Sequence, residues 1–253
     1  MIYCDSHIHI ADCKFSPDFE GDFSPESYFC VSSCHSENDF LASSGFFVSF
    51  GVHPQAVLED ENGKKRYSEE DFDFLEELAK EKNIVAAGEI GLDFFTPELK
   101  EKRAEQSTVF ERQLQIALKY GLPAVLHLRK SIGEIFSYSK ILAKLPSVIF
   151  HSFPGTAAEA NSLLNHRING FFSFGKPILN GRKASLQCVS SLPLNRLLLE
   201  TDAPYQTLKN EISTFPSDIK KVYSEAAKLR NIGGIELSEN IFENFKKAYQ
   251  LQI

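Results

Sequence analysis

Residues of metal-ligand type close a series of apolar runs along this chain, and that pattern constrains the fold more than any other feature. His7 and His9 come after Met-Ile-Tyr-Cys, Glu89 after Ile-Val-Ala-Ala-Gly, His127 after Pro-Ala-Val-Leu, His151 after Ser-Val-Ile-Phe and Asp202 after Arg-Leu-Leu-Leu-Glu-Thr. Each run is short, apolar and rich in branched residues, the signature of a buried strand. A ligand type where such a strand ends is how a parallel barrel builds a site at its mouth. Positions spread from residue 7 to residue 202 converge only in a closed fold, so the set predicts a metal centre.

Eight strand-like runs can be counted, near residues 2–7, 28–33, 47–52, 84–89, 123–128, 147–152, 170–174 and 196–201. Helix-like segments separate most of them, at 68–82, 98–120, 131–145, 156–166, 181–192, 216–230 and 237–250. Ser68 and Asp71 form a capping-type start, and the 98–120 segment stops at Gly121 with Pro123 beyond. Residues 8–27 read as a long loop. Alternating strands and helices imply a parallel sheet, and eight repeats in 253 residues match a (β/α)8 TIM-type barrel with its active site at the C-terminal strand ends. A doubly wound open sheet would collect its ligands at one switch point, whereas here they come from strands 1, 4, 5, 6 and 8. One barrel over 1–253 is therefore expected.

The net charge of −7 argues against sequence-independent coating of duplex nucleic acid, but not against a nucleic-acid enzyme whose metal ions supply local positive charge. The first ten residues lack the basic and long apolar regions of a secretory leader. No apolar run approaches a membrane span. Five cysteines without a framework spacing suit a reducing, cytoplasmic setting. No obligate protein partner is evident.

His7 and His9 are two apart, so on a strand both imidazoles face the same way and can reach one cation. Glu89, between Gly88 and Gly91, can bridge two cations, because a charge among Val85, Ala86, Ala87, Ile90 and Leu92 needs a partner. His127 and His151 end neighbouring strands in similar contexts. Each alone fits a hydrogen-bonded core histidine equally well, but together they favour a metal. Asp202 is assigned as ligand and general base, Glu200 as the residue behind it, and Asp93 as a loop hydrogen-bonding group. His53, in Gly-Val-His-Pro, either contacts substrate phosphate or caps a loop. His35 and His166 read as surface or helix residues, and Cys30, Cys34 and His35 lack the second half of a zinc site. Imidazole and carboxylate without thiolate suit one or two divalent ions, Zn²⁺, Mn²⁺ or Mg²⁺, which would activate a hydroxide for in-line displacement. Arg129, Lys130, Lys176, Arg182 and Lys183 follow strands 5 and 7. They are either ordinary surface charge or contacts for an anionic substrate. Phe94, Phe95, Phe153 and Tyr205 either pack the rim or stack on bases.

In order along the chain, Asp-Ser-His-Ile-His, Gly-Val-His-Pro, Gly-Glu-Ile-Gly-Leu-Asp, Leu-His, His-Ser-Phe-Pro-Gly, Phe-Ser-Phe-Gly and Leu-Glu-Thr-Asp-Ala-Pro resemble the motifs of TatD-family metal-dependent deoxyribonucleases. Asn240 and Phe245 resemble that family's terminal-helix motif. The resemblance implies a divalent-metal hydrolase cleaving DNA phosphodiester bonds, often as an exonuclease, with single-stranded or frayed DNA as substrate. It implies His7, His9, Glu89 and Asp202 around one metal, and Glu89, His127 and His151 around the second. It places His53 near substrate phosphate. Two departures stand out. Lys176 replaces a second glycine after the seventh strand, and the segment from Tyr205 to Thr214 lacks the family's Arg-Gly loop. Alternatives are a small-molecule amidohydrolase or lactonase on the same centre, and a non-catalytic metal-binding scaffold.

Overall fold

A computed structural model describes residues 1–14 and 28–253. Eight strands, β1 (Tyr3–Ile8), β2 (Tyr28–Cys34), β3 (Phe47–Phe50), β4 (Ala86–Asp93), β5 (Ala124–Arg129), β6 (Val148–Phe150), β7 (Gly170–Phe174) and β8 (Leu197–Leu199), pair in sequence order, each parallel to the next. All eight residues of β4 are buried, as are all of β6, β7 and β8. Strands covered on both faces need continuous apolar sequence, which is why these runs do not alternate. The expected strand positions and barrel are met.

The ring closes through the chain on either side of His7 and Asp202. His9 N–H donates to the Ala203 carbonyl at 2.8 Å, and Asp202 N–H donates to the His7 carbonyl at 2.9 Å. One step deeper, buried Asp5 accepts from the Thr201 amide at 2.9 Å, the Thr201 hydroxyl at 2.6 Å and the Tyr28 hydroxyl at 2.8 Å. Burial disfavours the Asp5 charge enough to push its carboxyl up to about 7 in spite of these donors.

Three helical expectations are corrected. The 98–120 segment is two helices, Pro97–Glu101 and Arg103–Tyr120. The Gln106 side chain accounts for the break, because its amide takes the carbonyls of Leu99 and Asp93 that a continuous helix and loop would use otherwise. The 131–145 segment is helical over a shorter span and irregular, an α-helical turn Ile132–Ile135, a 3-10 turn Phe136–Tyr138 and an α-helical turn Ser139–Leu142 in succession, in a stretch of serines, glycine and aromatics that favour a helix weakly. Within 8–27, residues Ile10–Lys14 are helical, and the remainder of that expected loop lies outside the described residues. A short helix, Glu37–Ala42, was not anticipated; Ser36 caps it by accepting from the Asp39 amide. Among the described residues no helix is long and apolar enough to cross a membrane.

Candidate metal centre

The C-terminal strand ends bring the ligand-type residues into one basin built around Glu89. His7 Nε2 and His9 Nε2 lie 3.2 Å apart. Both face Glu89 Oε2, at 3.2 and 3.8 Å, and Asp202 Oδ1, at 3.6 and 3.3 Å. The other oxygen, Glu89 Oε1, faces His127 Nδ1 at 2.5 Å, His53 Nε2 at 3.5 Å and His151 Nε2 at 3.7 Å. The two oxygens of one carboxylate thus divide the imidazoles into two groups.

Local sequence explains how Glu89 gets there. A Cβ at Gly88 would lie 2.6 Å from the Val125 Cβ, and one at Gly91 would collide with the His127 carbonyl oxygen. Only glycine at both positions lets β4 approach β5 this closely, and that approach puts Glu89 against His127. Asp202 adopts a left-handed backbone (φ 57) held by its N–H bond to His7.

The donors fit a cation. Lone-pair atoms of imidazoles and carboxylates converge within bonding range of common points, and thiolate is absent from the basin. Three sets have their ligand atoms within 4.8 Å of one another: His7, His9 and Glu89; His7, His151 and Asp202; His53, Glu89 and His127. These sets add His53 to the residues expected around a second metal. His53 joins Glu89 and His127, while His151 Nε2 lies between Glu89 Oε1, at 3.7 Å, and Asp202 Oδ2, at 3.8 Å. His53 also caps the turn Pro54–Val57, its Nδ1 accepting from the Gln55 amide, so the cap that was one of its two expected roles is present.

Residues behind the ligands hold them in place. Glu200 accepts from His151 Nδ1 at 3.1 Å and from the Ser152 amide at 2.8 Å. Asp93 meets His127 Nε2 at 3.2 Å and accepts from the Gln55 side chain at 2.7 Å. Gln206 Nε2 donates to Asp202 Oδ2 at 2.9 Å and to the Ser152 hydroxyl at 2.8 Å. Burial disfavours the charge on Glu89, yet His151, His53, His7 and His127 together hold its carboxyl well below the usual range. Burial likewise opposes charge on His127 and His151. Glu89 and Asp93 outweigh it to raise His127 to about 9, and Glu200, Asp202 and Glu89 raise His151 to about 10.

A family model described as TatD related DNase matches residues 4–250. The chain belongs to the TatD family. Among its relatives, the metal-dependent hydrolase YabD of Bacillus subtilis is 29% identical over 223 residues, 85% of this chain and 80% of YabD. The 3'-5' ssDNA/RNA exonuclease TatD of Edwardsiella piscicida is 33% identical over 166 residues, 63% of this chain and 58% of that protein. The crystal structure of YjjV, a TatD homologue from Escherichia coli, superimposes with a TM-score of 0.84 at 22% identity, covering 99% of this chain and 98% of that one. The TatD assignment carries metal-dependent hydrolysis with it.

The rim of this TatD barrel differs from the expectation at several residues. Lys176 does not reach toward substrate. It is fully buried, donating to Glu211 at 2.5 Å, Asp218 at 2.9 Å and Thr214 at 3.2 Å. These partners hold the long side chain under the loop beyond β8, so the two departures from the TatD pattern, Lys176 and the altered loop, are one ion-paired cluster. Phe94 and Phe153 are core residues, and Phe153 packs against Phe172 and Phe174. Phe95 and Tyr205 are exposed, at 45% and 51%. Arg129 lines the mouth cavity of about 540 Å³ with its guanidinium 3.5 Å from the Phe95 ring centre. Lys130 lies over the same ring. Arg182 lines the cavity too, with its guanidinium on the Pro154 carbonyl. Tyr205 sets its ring edge-on to His9 and donates its hydroxyl to Asp12 at 2.9 Å. In the terminal helix Gly234–Tyr249, the Asn240 side chain donates to the Glu236 carbonyl within the helix, while Asn244 donates to the carbonyls of Leu194 and Leu197.

His35 is the residue that sequence reasoning missed. It sits in the basin, its ring 5.7 Å from His9 and 5.5 Å from His53. The signal was present, because His35 follows the apolar run that forms β2 just as His127 and His151 follow theirs. His166 lies apart against Phe136, as expected for a surface residue.

Proposed function

We propose that this chain is a divalent-metal-dependent nuclease that removes nucleotides from the ends of single-stranded or frayed DNA. The observation that carries the reading is the division of Glu89: Oε2 faces His7 and His9, which also face Asp202, and Oε1 faces His53, His127 and His151. One carboxylate shared in this way suits a cation pair. The imidazole-rich set favours Zn²⁺ or Mn²⁺ over Mg²⁺, which prefers oxygen ligands. When bound, such a pair lowers the pKa of water and neutralises charge on a phosphoryl group.

The chain's own residues supply the rest. Asp202 stays ionised, since His151, His9 and His7 together outweigh the burial that opposes its charge. Gln206 fixes its Oδ2, leaving the carboxylate oriented to accept a proton from the attacking water. Glu200 and Asp93 hold the rings of His151 and His127 against rotation. Arg129 offers a guanidinium fork to phosphate from its seat on Phe95. Exposed Phe95 and Tyr205 offer faces to unstacked bases, and a cavity of this volume suits a nucleotide rather than a duplex. Action from the 3' end is supported by the name of the Edwardsiella relative. Five unpaired thiols suit a cytoplasmic setting.

The test is cleavage of end-labelled single-stranded DNA by metal-stripped protein, with Mg²⁺, Mn²⁺ or Zn²⁺ returned singly and Glu89→Ala in parallel. A stepwise product ladder that needs metal and vanishes in the variant is expected. Tight metal uptake without cleavage would remove DNA as substrate and favour a small-molecule hydrolase.

A further inference from the structure

Six of the seven histidines form a closed ring of neighbouring imidazoles. Centroid separations run 5.0 Å from His7 to His9, 5.7 Å to His35, 5.5 Å to His53, 4.5 Å to His127, 6.4 Å to His151 and 3.7 Å back to His7. Five of these rings lie within 4 Å of a carboxylate oxygen. His35 is the exception. Among the described residues its ring nitrogens have one partner, the Gly51 carbonyl, 2.8 Å from Nδ1.

A carbonyl oxygen can only accept, so Nδ1 carries the hydrogen and Nε2 presents a lone pair. Histidines placed for a cation sit among carboxylates that balance its charge, and among the described residues no carboxylate pairs with the His35 ring. A lone pair also repels a phosphate oxygen, which brings no hydrogen. What suits it is a neutral donor, and His35 stands on the β2–β3 side of the basin, across Glu89 from the cavity lined by residues following β5 to β8. A strand end with its scissile phosphate over Glu89 and its body in the cavity would extend its last sugar toward that side. The hydroxyl nearest a scissile phosphate there is the terminal 3'-hydroxyl.

We propose that His35 is a substrate-binding residue whose Nε2 accepts the terminal 3'-hydroxyl of a DNA strand, so that the barrel recognises a free end. The inference rests on the nuclease reading above. It makes the sixth imidazole a reader of the strand end and leaves the other five to the cation sites. A site built to receive a hydroxyl discriminates against the analogue that lacks it.

The test compares the first cleavage step of metal-loaded protein on two 5'-labelled single strands, one ending in a 3'-hydroxyl and one in a 3'-deoxy sugar. Wild type is expected to prefer the hydroxyl end by about 10-fold, the scale of one hydrogen bond. His35→Phe should cut both at the slower rate. His35→Gln, which returns an acceptor near the Nε2 position, should recover part of the preference. Bound metal, measured by elemental analysis, should be equal in all three. A preference that survives in His35→Phe overturns the proposal. So does loss of metal from His35→Phe, or from His35→Gln should the former not fold, because His35 would then belong to a cation site. If wild type cuts neither strand, the nuclease reading falls and this inference with it. If it cuts both without preference, only the inference falls.

Discussion

Two clusters of buried charge lie within this barrel, and they are built on opposite principles. Around Lys176, one ammonium meets Glu211, Asp218 and a threonine hydroxyl, so donor and acceptors are matched inside the protein. Around Glu89, imidazole lone pairs face carboxylate oxygens, and acceptors face acceptors. The first cluster is complete and anchors a loop. The second is balanced only by protons or by a cation from outside. A buried charge is therefore a functional signal when its partners fail to satisfy it, and a structural one when they succeed.

The contrast can be broken at its extremes. Glu89→Gln keeps the shape of the bridge and removes its charge. Cleavage should fall by more than about 100-fold, since partners one shell further out already cost up to that much. Metal content should drop while circular dichroism stays unchanged. Lys176→Met does the reverse: it strands two carboxylates and should lower stability by about 3 kcal/mol in denaturant titration, with metal content retained.

A subtler separation comes from pH. His127 and His151 are raised to about 9 and about 10 in the metal-free basin. Their contribution to stability is complete below their unfolded value near 6.5 and is lost as pH rises toward the folded values. Metal-free protein should therefore lose thermal stability between about pH 6.5 and 10. Cation binding displaces those protons, so metal affinity should climb over the same interval. Calorimetry in buffers of different ionisation enthalpy would detect the protons released, and a pH-independent affinity would show that protons do not fill the basin. The smallest effect belongs to the rim. Phe95→Ala removes the seat of Arg129 and should raise KM for single-stranded DNA about 2- to 5-fold with kcat little changed.

The parts of this molecule that follow from local pattern were legible in sequence. Every strand announced itself as an apolar run, and each basin residue except His35 was picked out as a ligand type where such a run ends. Long side chains were less legible, because sequence gives the position of Lys176 but not the direction it takes. Its chain position after β7 suggested the mouth, yet Glu211 and Asp218, some forty residues later, draw it underneath. The same holds for Gln106, whose side chain splits a helix that periodicity alone runs together. His35 was legible by the rule that found its neighbours, but nearby cysteines suggested a different pattern.

The ring closure has a consequence for how the protein is made. His7 and His9 emerge first from the ribosome, whereas Asp202 and the two backbone bonds that seat it against β1 come only after four-fifths of the chain. Until then the first strand has no eighth strand beside it, and His7 and His9 lack the carboxylate of Asp202 that faces them. A growing chain therefore carries its hydrolytic parts in an inert order. Catalytic competence arrives with the last strand, at a point when nearly the whole barrel is available to confine it.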